Sequence, residues 1–288
     1  MPRFMRPVWL LTAAIALVDA VWLPMSGLTL LASSLLVPLA AGTIAAMLAW
    51  FYATVRRDAR IASLTRSAAE LIAFTTAAGI LSYLIATLNQ PLLDEHLVSA
   101  DRALGLDWLA MYRWLRLHRA LNIAFVLAYN SVTAQIAILL LVLNFLGRTA
   151  RSRELVRLFA ATGMACILLS GPWPTGGAFY YFNIVPYHPY LRTFLALRDG
   201  TLGTIDLWQI QGVVQFPSFH TALAILCAYV CRGMPILFPL AVAIDLTVIA
   251  ATPAIGGHHF ADVWAGGALT IATILLMRRC GPAETGDG

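Results

Sequence analysis

The sequence predicts an all-α, polytopic membrane protein, and three observations lead to this fold class. Hydrophobic residues make up 60% of the 288 residues, whereas a typical globular protein has about 45–50%. Charged residues make up only 11%, against about 25% in a typical globular protein, which is too few to cover a soluble surface. Apolar runs of about 20 residues, the length that crosses a bilayer as a helix, recur along the chain. The composition therefore excludes a soluble domain, a disordered chain, a disulfide scaffold and a coiled coil.

Eight apolar runs indicate transmembrane helices. They cover residues 8–26, 29–54, 68–88, 120–146, 156–178, 217–232, 234–255 and 260–278. The first two runs predict an N-terminal transmembrane hairpin within residues 1–62, and the other six predict a six-span helical bundle over residues 63–280. The polar tail 281–288 is predicted to be disordered. The expected architecture is thus a six-span core preceded by a two-span hairpin.

The positions of the arginines predict the orientation. The chain contains no lysine, so its net charge of +5 comes from 19 arginines. Thirteen of them would lie on the cytoplasmic side if the N-terminus is cytoplasmic. They fall in the segments 1–7, 55–67, 147–157, 232–233 and 278–279. The positive-inside rule then places both termini in the cytoplasm, in a multi-pass protein of the plasma (inner) membrane. Since the arginines flank apolar runs, they indicate membrane lipids and not nucleic acid as the partner.

Three segments then share the outer face: 89–118, 179–216 and 256–259. The first has apolar residues at helical spacing with charges between them, which predicts amphipathic helices at the outer interface. These apolar residues are Leu93, Leu97, Ala100 and Leu104. The second is the longest irregular stretch, and long loops of this kind are usually functional. We expect the two segments to cap a cavity that holds the active site.

Two polar motifs open the sixth and the eighth predicted spans. In Gln215–Thr221 (QFPSFHT), Ser218 and His220 would lie at a helix N-terminus, whose free N–H groups attract anions. In Gly256–Asp262 (GGHHFAD), His258 and Asp262 are four residues apart and share one helix face. A carboxylate that binds one imidazole nitrogen fixes the tautomer and makes the other nitrogen a better base or nucleophile.

Together these motifs predict a site for phosphoryl transfer. Two histidines, a carboxylate, two helix N-termini and nearby arginines provide a nucleophile, a proton donor and phosphate ligands. Gly257 would let a substrate approach the backbone closely. His259 is a second candidate for the nucleophile, although the spacing to Asp262 favours His258. Because the site lies at headgroup height, a lipid phosphate or phospholipid is the expected substrate.

The motifs resemble those of the type 2 phosphatidic acid phosphatase superfamily. PSFH at 217–220 resembles its P-S-x-H signature, and HHFADVWAG at 258–266 resembles its H-x-x-x-D signature. Three further stretches resemble the inositol phosphorylceramide synthase (inositolphosphotransferase) branch. They are PLLDEHLVSADRALGLDW at 91–108, AYNSVTAQ at 128–135 and FPSFHTA at 216–222.

This resemblance implies a metal-independent mechanism without a cofactor. His258 would attack phosphorus and form a phosphohistidine, Asp262 would orient it, and His220 would protonate the leaving oxygen. Ser218 would bind the phosphate. The resemblance leaves open whether water or an alcohol accepts the phosphoryl group.

Two departures from the phosphatase pattern favour the transferase-like branch. The K-x6-R-P signature that clamps phosphate in the phosphatases has no match, so Arg192 and Arg198 in YLRTFLALRDG are the candidate substitutes. The Ser-Arg pair that often precedes the third signature is replaced by Ala251-Thr252.

Two alternatives compete with a phosphoryl-transfer enzyme. The first is a transporter or metal-binding membrane protein that uses the same histidines and carboxylate as ligands, since these residue types suit zinc. No inverted repeat supports a transporter. The second is a catalytically inactive scaffold, which the intact His220, His258 and Asp262 argue against.

Overall fold

The structure, a computed structural model, describes residues 6–184 and 188–280. The predicted disordered tail 281–288 lies outside the described residues. The described chain forms twelve α-helices and one pair of very short strands. The helices are α1 (Arg6–Trp22), α2 (Leu36–Thr54), α3 (Ala59–Ala86), α4 (Asp94–Ala103), α5 (Trp108–Leu117), α6 (Arg119–Phe145), α7 (Thr149–Ser170), α8 (Ala178–Tyr181), α9 (Pro189–Arg198), α10 (Phe219–Val230), α11 (Leu237–Gly256) and α12 (Phe260–Cys280). The strands are β1 (Thr29–Leu30) and β2 (Thr204–Ile205).

Six segments of the described chain are helical, long and apolar enough to cross a membrane, which confirms the predicted fold class. They are Pro7–Met25, Ala32–Thr54, Ala59–Ala86, Arg119–Phe145, Leu237–Gly256 and Phe260–Arg279. The other two predicted spans correspond to α7 and α10. Helix α7 begins with a charged stretch, Arg151 to Arg157. Helix α10 has 12 residues and is about 18 Å long, shorter than the hydrocarbon core of a bilayer.

Helix α10 lies at the centre of the core. It packs against α6, α7, α11 and α12, and most of its side chains are buried, among them Leu226 and Val230. Partners on the surrounding helices include the buried Leu143, Leu155 and Val248. Because neighbouring helices surround it, this short helix holds its first residues at a fixed place within the bundle.

The N-terminal helices α1 and α2 both pack against α3. Strand β1, in the connection between α1 and α2, pairs in parallel with β2, in the loop after α9. Thr29 lies opposite Thr204 in this pair. The hydroxyl oxygens of these two threonines are 3.0 Å apart. The predicted boundary at residue 62 falls inside α3, so the division into a hairpin and a core stays a prediction.

The segment 89–118, where amphipathic helices are predicted, contains α4 and α5, and α4 buries a face that carries two carboxylates. Its buried residues are Asp94, Val98 and Asp101, whereas Leu104 is 69% exposed. That these helices lie at the outer membrane interface stays a prediction. The acidic face turns inward because its carboxylates accept hydrogen bonds from two loops of the site, described below.

Candidate active site

The site lies where the N-terminal ends of α10 and α12 meet. His220 is the second residue of α10, and His258 lies in the short connection between α11 and α12. The centroids of the two imidazole rings are 6.5 Å apart. His258 is only 2% exposed. The fold thus brings together two histidines that are 38 positions apart in the sequence.

A direct backbone contact joins the two motifs. The N–H of Ser218 donates a hydrogen bond to the carbonyl oxygen of Asp262, at 3.0 Å. One helical turn after Asp262, Gly266 faces the same backbone, and a β-carbon at Gly266 would overlap the carbonyl oxygen of Ser218. The glycine at position 266 is therefore required for α12 to approach the start of α10.

The predicted pair of His258 and Asp262 is close in space. Nδ1 of His258 lies 3.4 Å from Oδ2 of Asp262. The same carboxylate oxygen accepts a hydrogen bond from the His259 N–H at 2.8 Å. Catalytic hydrogen bonds are often long in a free enzyme and shorten when substrate binds. The arrangement leaves Nε2 of His258 as the nitrogen that is not directed at the carboxylate.

His220 has a partner that the sequence analysis missed. The phenol ring of Tyr129, on α6, stacks on the imidazole of His220 with a centroid distance of 4.2 Å. Its hydroxyl lies 3.2 Å from Nδ1 of His220. Tyr129 belongs to the stretch AYNSVTAQ, which contributed to the family resemblance, but no catalytic or binding role was predicted for any residue in it. That stretch was the only signal in the sequence that could have identified the residue.

His259 has a different environment from His258. It is fully buried, and its Nε2 lies 2.9 Å from Oδ1 of Asp94 on α4. Asp94 also accepts hydrogen bonds from the N–H groups of Gly176 and Gly177, both at 2.9 Å. Burial disfavours the charged imidazole, but the hydrogen bond with Asp94 and the surrounding carboxylates outweigh it and raise the pKa of His259.

Asp101 caps the N-terminus of α12. Its two carboxylate oxygens accept hydrogen bonds from the N–H groups of Phe260 and Ala261, each at 2.9 Å. Burial raises the pKa of this carboxyl, and the two backbone hydrogen bonds oppose that shift. Acidic residues stabilise helix N-termini because the free N–H groups there carry partial positive charge. At α12 these groups are therefore occupied by carboxylates of the protein itself.

Protein groups fill the space beside Gly256 and Gly257. Gly257 has a φ of +70° and ends α11, and a β-carbon there would meet the ring of Phe179 at 2.5 Å. A β-carbon at Gly256 would meet the hydroxyl of Tyr129 at 2.6 Å. That Gly257 also lets a substrate approach the backbone stays a prediction. Its left-handed backbone and its packing against Phe179 explain the glycine.

Ser218 caps α10. Its hydroxyl oxygen accepts hydrogen bonds from the N–H of Thr221 at 3.4 Å and from the hydroxyl of Thr221 at 3.2 Å. A serine hydroxyl has two acceptor lone pairs and one proton to donate. Because both lone pairs are used, the proton of Ser218 is the part of the hydroxyl that stays available to a ligand.

The two candidate clamp arginines lie on α9. Arg198 donates a hydrogen bond to the carbonyl oxygen of Gln90 at 2.7 Å, and its guanidinium lies 5.4 Å from the ring centroid of Phe194. The hydrogen bond to Gln90 attaches α9 to the segment before α4, whereas the contact with Phe194 lies within α9. Arg192 is exposed. In the described part of the chain, neither arginine contacts His220, His258 or Asp262.

An open cavity of about 620 Å³ lies between α4, α8 and α9. Segments 89–118 and 179–216 both contribute to its walls, as expected of a capped cavity. Asp94, Phe179 and Tyr181 are among the lining residues, whereas His220 and His258 are not. The cavity thus adjoins the site on the side of the His259–Asp94 pair. Among the described residues, no group of three or more His, Cys, Asp or Glu side chains is arranged to hold a metal ion.

The fold and the site define a multi-pass helical membrane protein with paired histidines at the start of two helices. A family model, the PAP2 superfamily, matches residues 95–276, which is 182 of the 288 residues and includes both histidine motifs. The chain therefore belongs to the PAP2 superfamily, the type 2 phosphatidic acid phosphatases and their relatives. Membership makes it an enzyme of the phosphatase or phosphotransferase type. No match was found among curated proteins or among solved structures.

Gly266 and its neighbour Gly267 provide a matched test of the contact between the motifs. Gly266→Ala is expected to reduce turnover by about 100-fold or more, because a displacement near 1 Å in a catalytic group has an effect of that order. Gly267→Ala should retain activity, since its added methyl meets only the end of Ile225, at 3.6 Å. The measurement is His258-dependent activity of both purified variants, with melting temperatures as the control. Equal activities of Gly266→Ala and Gly267→Ala would show that activity does not depend on the close approach of α12 to the start of α10.

Proposed function

We propose that the chain transfers a phosphoryl or phosphodiester group from a lipid at the outer leaflet, through a phosphohistidine on His258. His220 acts as the general acid, and Asp262 orients the nucleophile. The observation that carries this proposal is the pair of facing histidines, His220 and His258, whose Nδ1 atoms have chemically different partners.

The different partners support different roles for the two histidines. In the proposed reaction the carboxylate of Asp262, 3.4 Å from Nδ1 of His258 in the structure, accepts a hydrogen bond from that nitrogen and leaves a lone pair on Nε2. The hydroxyl of Tyr129 both donates and accepts, so it can bind the neutral and the charged form of His220. A nucleophile requires the first arrangement, whereas a group that gives and takes a proton in each cycle requires the second.

The proposed reaction has two steps. Nε2 of His258 attacks phosphorus, the bond to the leaving oxygen breaks, and His220 gives its proton to that oxygen. In the second step the oxygen of water or of an alcohol attacks phosphorus and gives its proton to the now neutral His220. The phosphorus–nitrogen bond breaks and both histidines return to their starting states. Water as the acceptor makes the enzyme a phosphatase, and an alcohol makes it a headgroup phosphotransferase.

The arrangement of hydrogen bonds also supports a place for the phosphate oxygens. The first N–H groups of α12 are taken by Asp101 and Asp262. The first turn of α10 has no carboxylate. Ser218 caps the N–H of Thr221, and the N–H groups of Phe219 and His220 have no acceptor within the helix. We therefore place the phosphate at the start of α10, where the free proton of Ser218 can donate to it. Exposed Arg192 is the proposed substitute for the absent lysine and arginine signature. The contacts of Arg198 assign it to the attachment of α9.

The inositol phosphorylceramide synthase-like stretches support transfer to an alcohol over hydrolysis. We further propose that the enzyme lies in the plasma membrane with both termini in the cytoplasm, because 13 of the 19 arginines then lie inside. In this orientation the starts of α10 and α12 lie at the outer surface. A lipid could place its headgroup at the histidines while its tails remain in the bilayer.

The function is tested by a mass-spectrometric survey of products formed by the purified, detergent-solubilised enzyme. The substrates are phosphatidic acid, polyprenyl pyrophosphate, phosphatidylinositol and other phospholipids, with inositol and lipid alcohols as acceptors. We expect a headgroup-bearing lipid that is absent with His258→Ala and undiminished by a strong chelator. Free phosphate would identify a phosphatase instead. Loss of the product with chelator would favour the metal-binding alternative, and no His258-dependent product would contradict the proposal.

Tyr129→Phe tests the proposed partner of the general acid. The phenylalanine ring keeps the stacking on His220 but lacks the hydroxyl. General acid–base catalysis contributes about 100-fold or more to turnover. Loss of a partner of the general acid should remove part of this, and we expect turnover to fall by about 10-fold. Tyr112→Phe is the matched control, because its ring stacks on Trp108. Steady-state kinetics of the two variants makes the comparison. An unchanged turnover in Tyr129→Phe would remove this residue from the mechanism.

Cysteine labelling tests the orientation. In a Cys280→Ser background the remaining cysteines, Cys166, Cys227 and Cys231, are buried. Thr201→Cys should react with a membrane-impermeant maleimide in intact cells. Arg148→Cys should react only after permeabilisation, since this exposed position lies on the predicted cytoplasmic side. The opposite pattern would place the site on the cytoplasmic face.

A further inference from the structure

We infer that Asp94 and Asp101, two carboxylates on α4, are positioning residues that hold the turn carrying His258 in its reactive geometry. This inference rests on the proposed function of His258 as the nucleophile. The two residues are seven positions apart, which places them on one face of the helix. Both are buried, each 3% exposed. They do not contact His258 and would act through its neighbours on either side.

Helix α4 holds this turn at three successive residues. Asp94 binds the side chain of His259, the residue after the nucleophile. Asp101 accepts the N–H groups of the next two residues, Phe260 and Ala261. His258 itself lies between the end of α11 and the start of α12, without a regular helix of its own. Its position therefore depends on how firmly these following residues are held.

Asp94 also fixes the other side of the turn. Its carboxylate binds the N–H groups of Gly176 and Gly177. The next residue, Ala178, donates its N–H to the carbonyl oxygen of Gly257, at 2.6 Å. Gly257 directly precedes the nucleophile. A single carboxylate thus connects the segments that constrain His258 from both directions along the chain.

The charge distribution explains why a histidine follows the nucleophile. The groups that face His259 are Asp94 and Asp101 from α4, Asp262 from α12, and the ring of Tyr181 from α8. Three carboxylates around one buried imidazole favour its charged form. A charged His259 partly offsets the negative charge of Asp262 and gives Asp94 a charge-assisted hydrogen bond, which is shorter and stronger than a neutral one.

The test compares Asp94→Asn, Asp101→Asn and His259→Gln with the wild-type enzyme, on the substrate that gives the His258-dependent product. We expect kcat to fall about 10- to 100-fold, as displaced catalytic groups do, while KM changes less than about 3-fold. Arg102→Gln is the control: it also removes a charge from α4, but Arg102 is exposed and does not line the cavity beside the site. It should behave as wild type.

Two further readouts separate positioning from general stability. Because Asp94 favours the charged form of His259, that form is present below the pKa of His259 and is lost as the pH rises through it. Asp94→Asn should therefore move the alkaline limb of the kcat profile to lower pH. The double variant Asp94→Asn with His259→Gln should be no slower than the slower single variant, because both remove the same interaction.

The outcomes distinguish this inference from the proposed function. If His258→Ala retains the activity, the proposed function fails first. If His258→Ala is inactive while Asp94→Asn and Asp101→Asn keep wild-type kcat and pH profile, the positioning role is overturned alone. If Asp94→Asn and His259→Gln both fail to fold, judged by melting temperature and gel filtration, the pair is a stability element and the inference is equally overturned.

Discussion

The hydrogen bond from the Ser218 N–H to the Asp262 carbonyl oxygen is the contact on which the site depends. It joins the beginnings of two helices, so the residues that follow Ser218 and precede Asp262 must face each other. The absence of a side chain at Gly266 permits this approach. The burial of α10 among four other helices keeps its first turn in place. The distance between the two imidazoles is thus a consequence of backbone packing and not of any direct contact between the histidines.

Buried carboxylates organise the surroundings of that contact. Asp94, Asp101 and Asp262 all accept backbone N–H groups from loops or from the start of α12. A buried carboxylate would be unfavourable without such partners, and an unpaired N–H at a buried helix end would be unfavourable too. The carboxylates and the backbone N–H groups therefore satisfy each other's hydrogen-bonding requirements. The result is an asymmetry between the two helix starts, because α12 is occupied by protein carboxylates while α10 stays open to an anion from outside.

The parts of the site that follow local rules could be predicted from the sequence. His258 and Asp262 are four residues apart, and helical spacing alone brings them near each other. The long apolar runs predicted the spanning helices for the same reason. Tyr129, Asp94 and Asp101 could not be predicted, because their partners are between 82 and 165 positions away. The hydrophobic spacing of α4 predicted a helix but not its buried face, because that face is fixed by carboxylates that accept distant backbone N–H groups.

The charges around the site bear on the class of substrate. Three carboxylates, Asp94, Asp101 and Asp262, face the buried His259. The guanidinium of Arg198 keeps its charge when it binds the Gln90 carbonyl, and it also interacts with Asp94. A phosphomonoester carries close to two negative charges at neutral pH, whereas a phosphodiester carries one. Each additional negative charge in a buried site is costly unless a cation pairs with it. In the proposed mechanism the cations offered to the phosphate are Arg192 and, once it is protonated, His220. These balance a phosphodiester more completely than a monoester. If the chain acts as proposed, this balance favours a phosphodiester lipid as the donor, and so transfer of a headgroup over hydrolysis of phosphatidic acid.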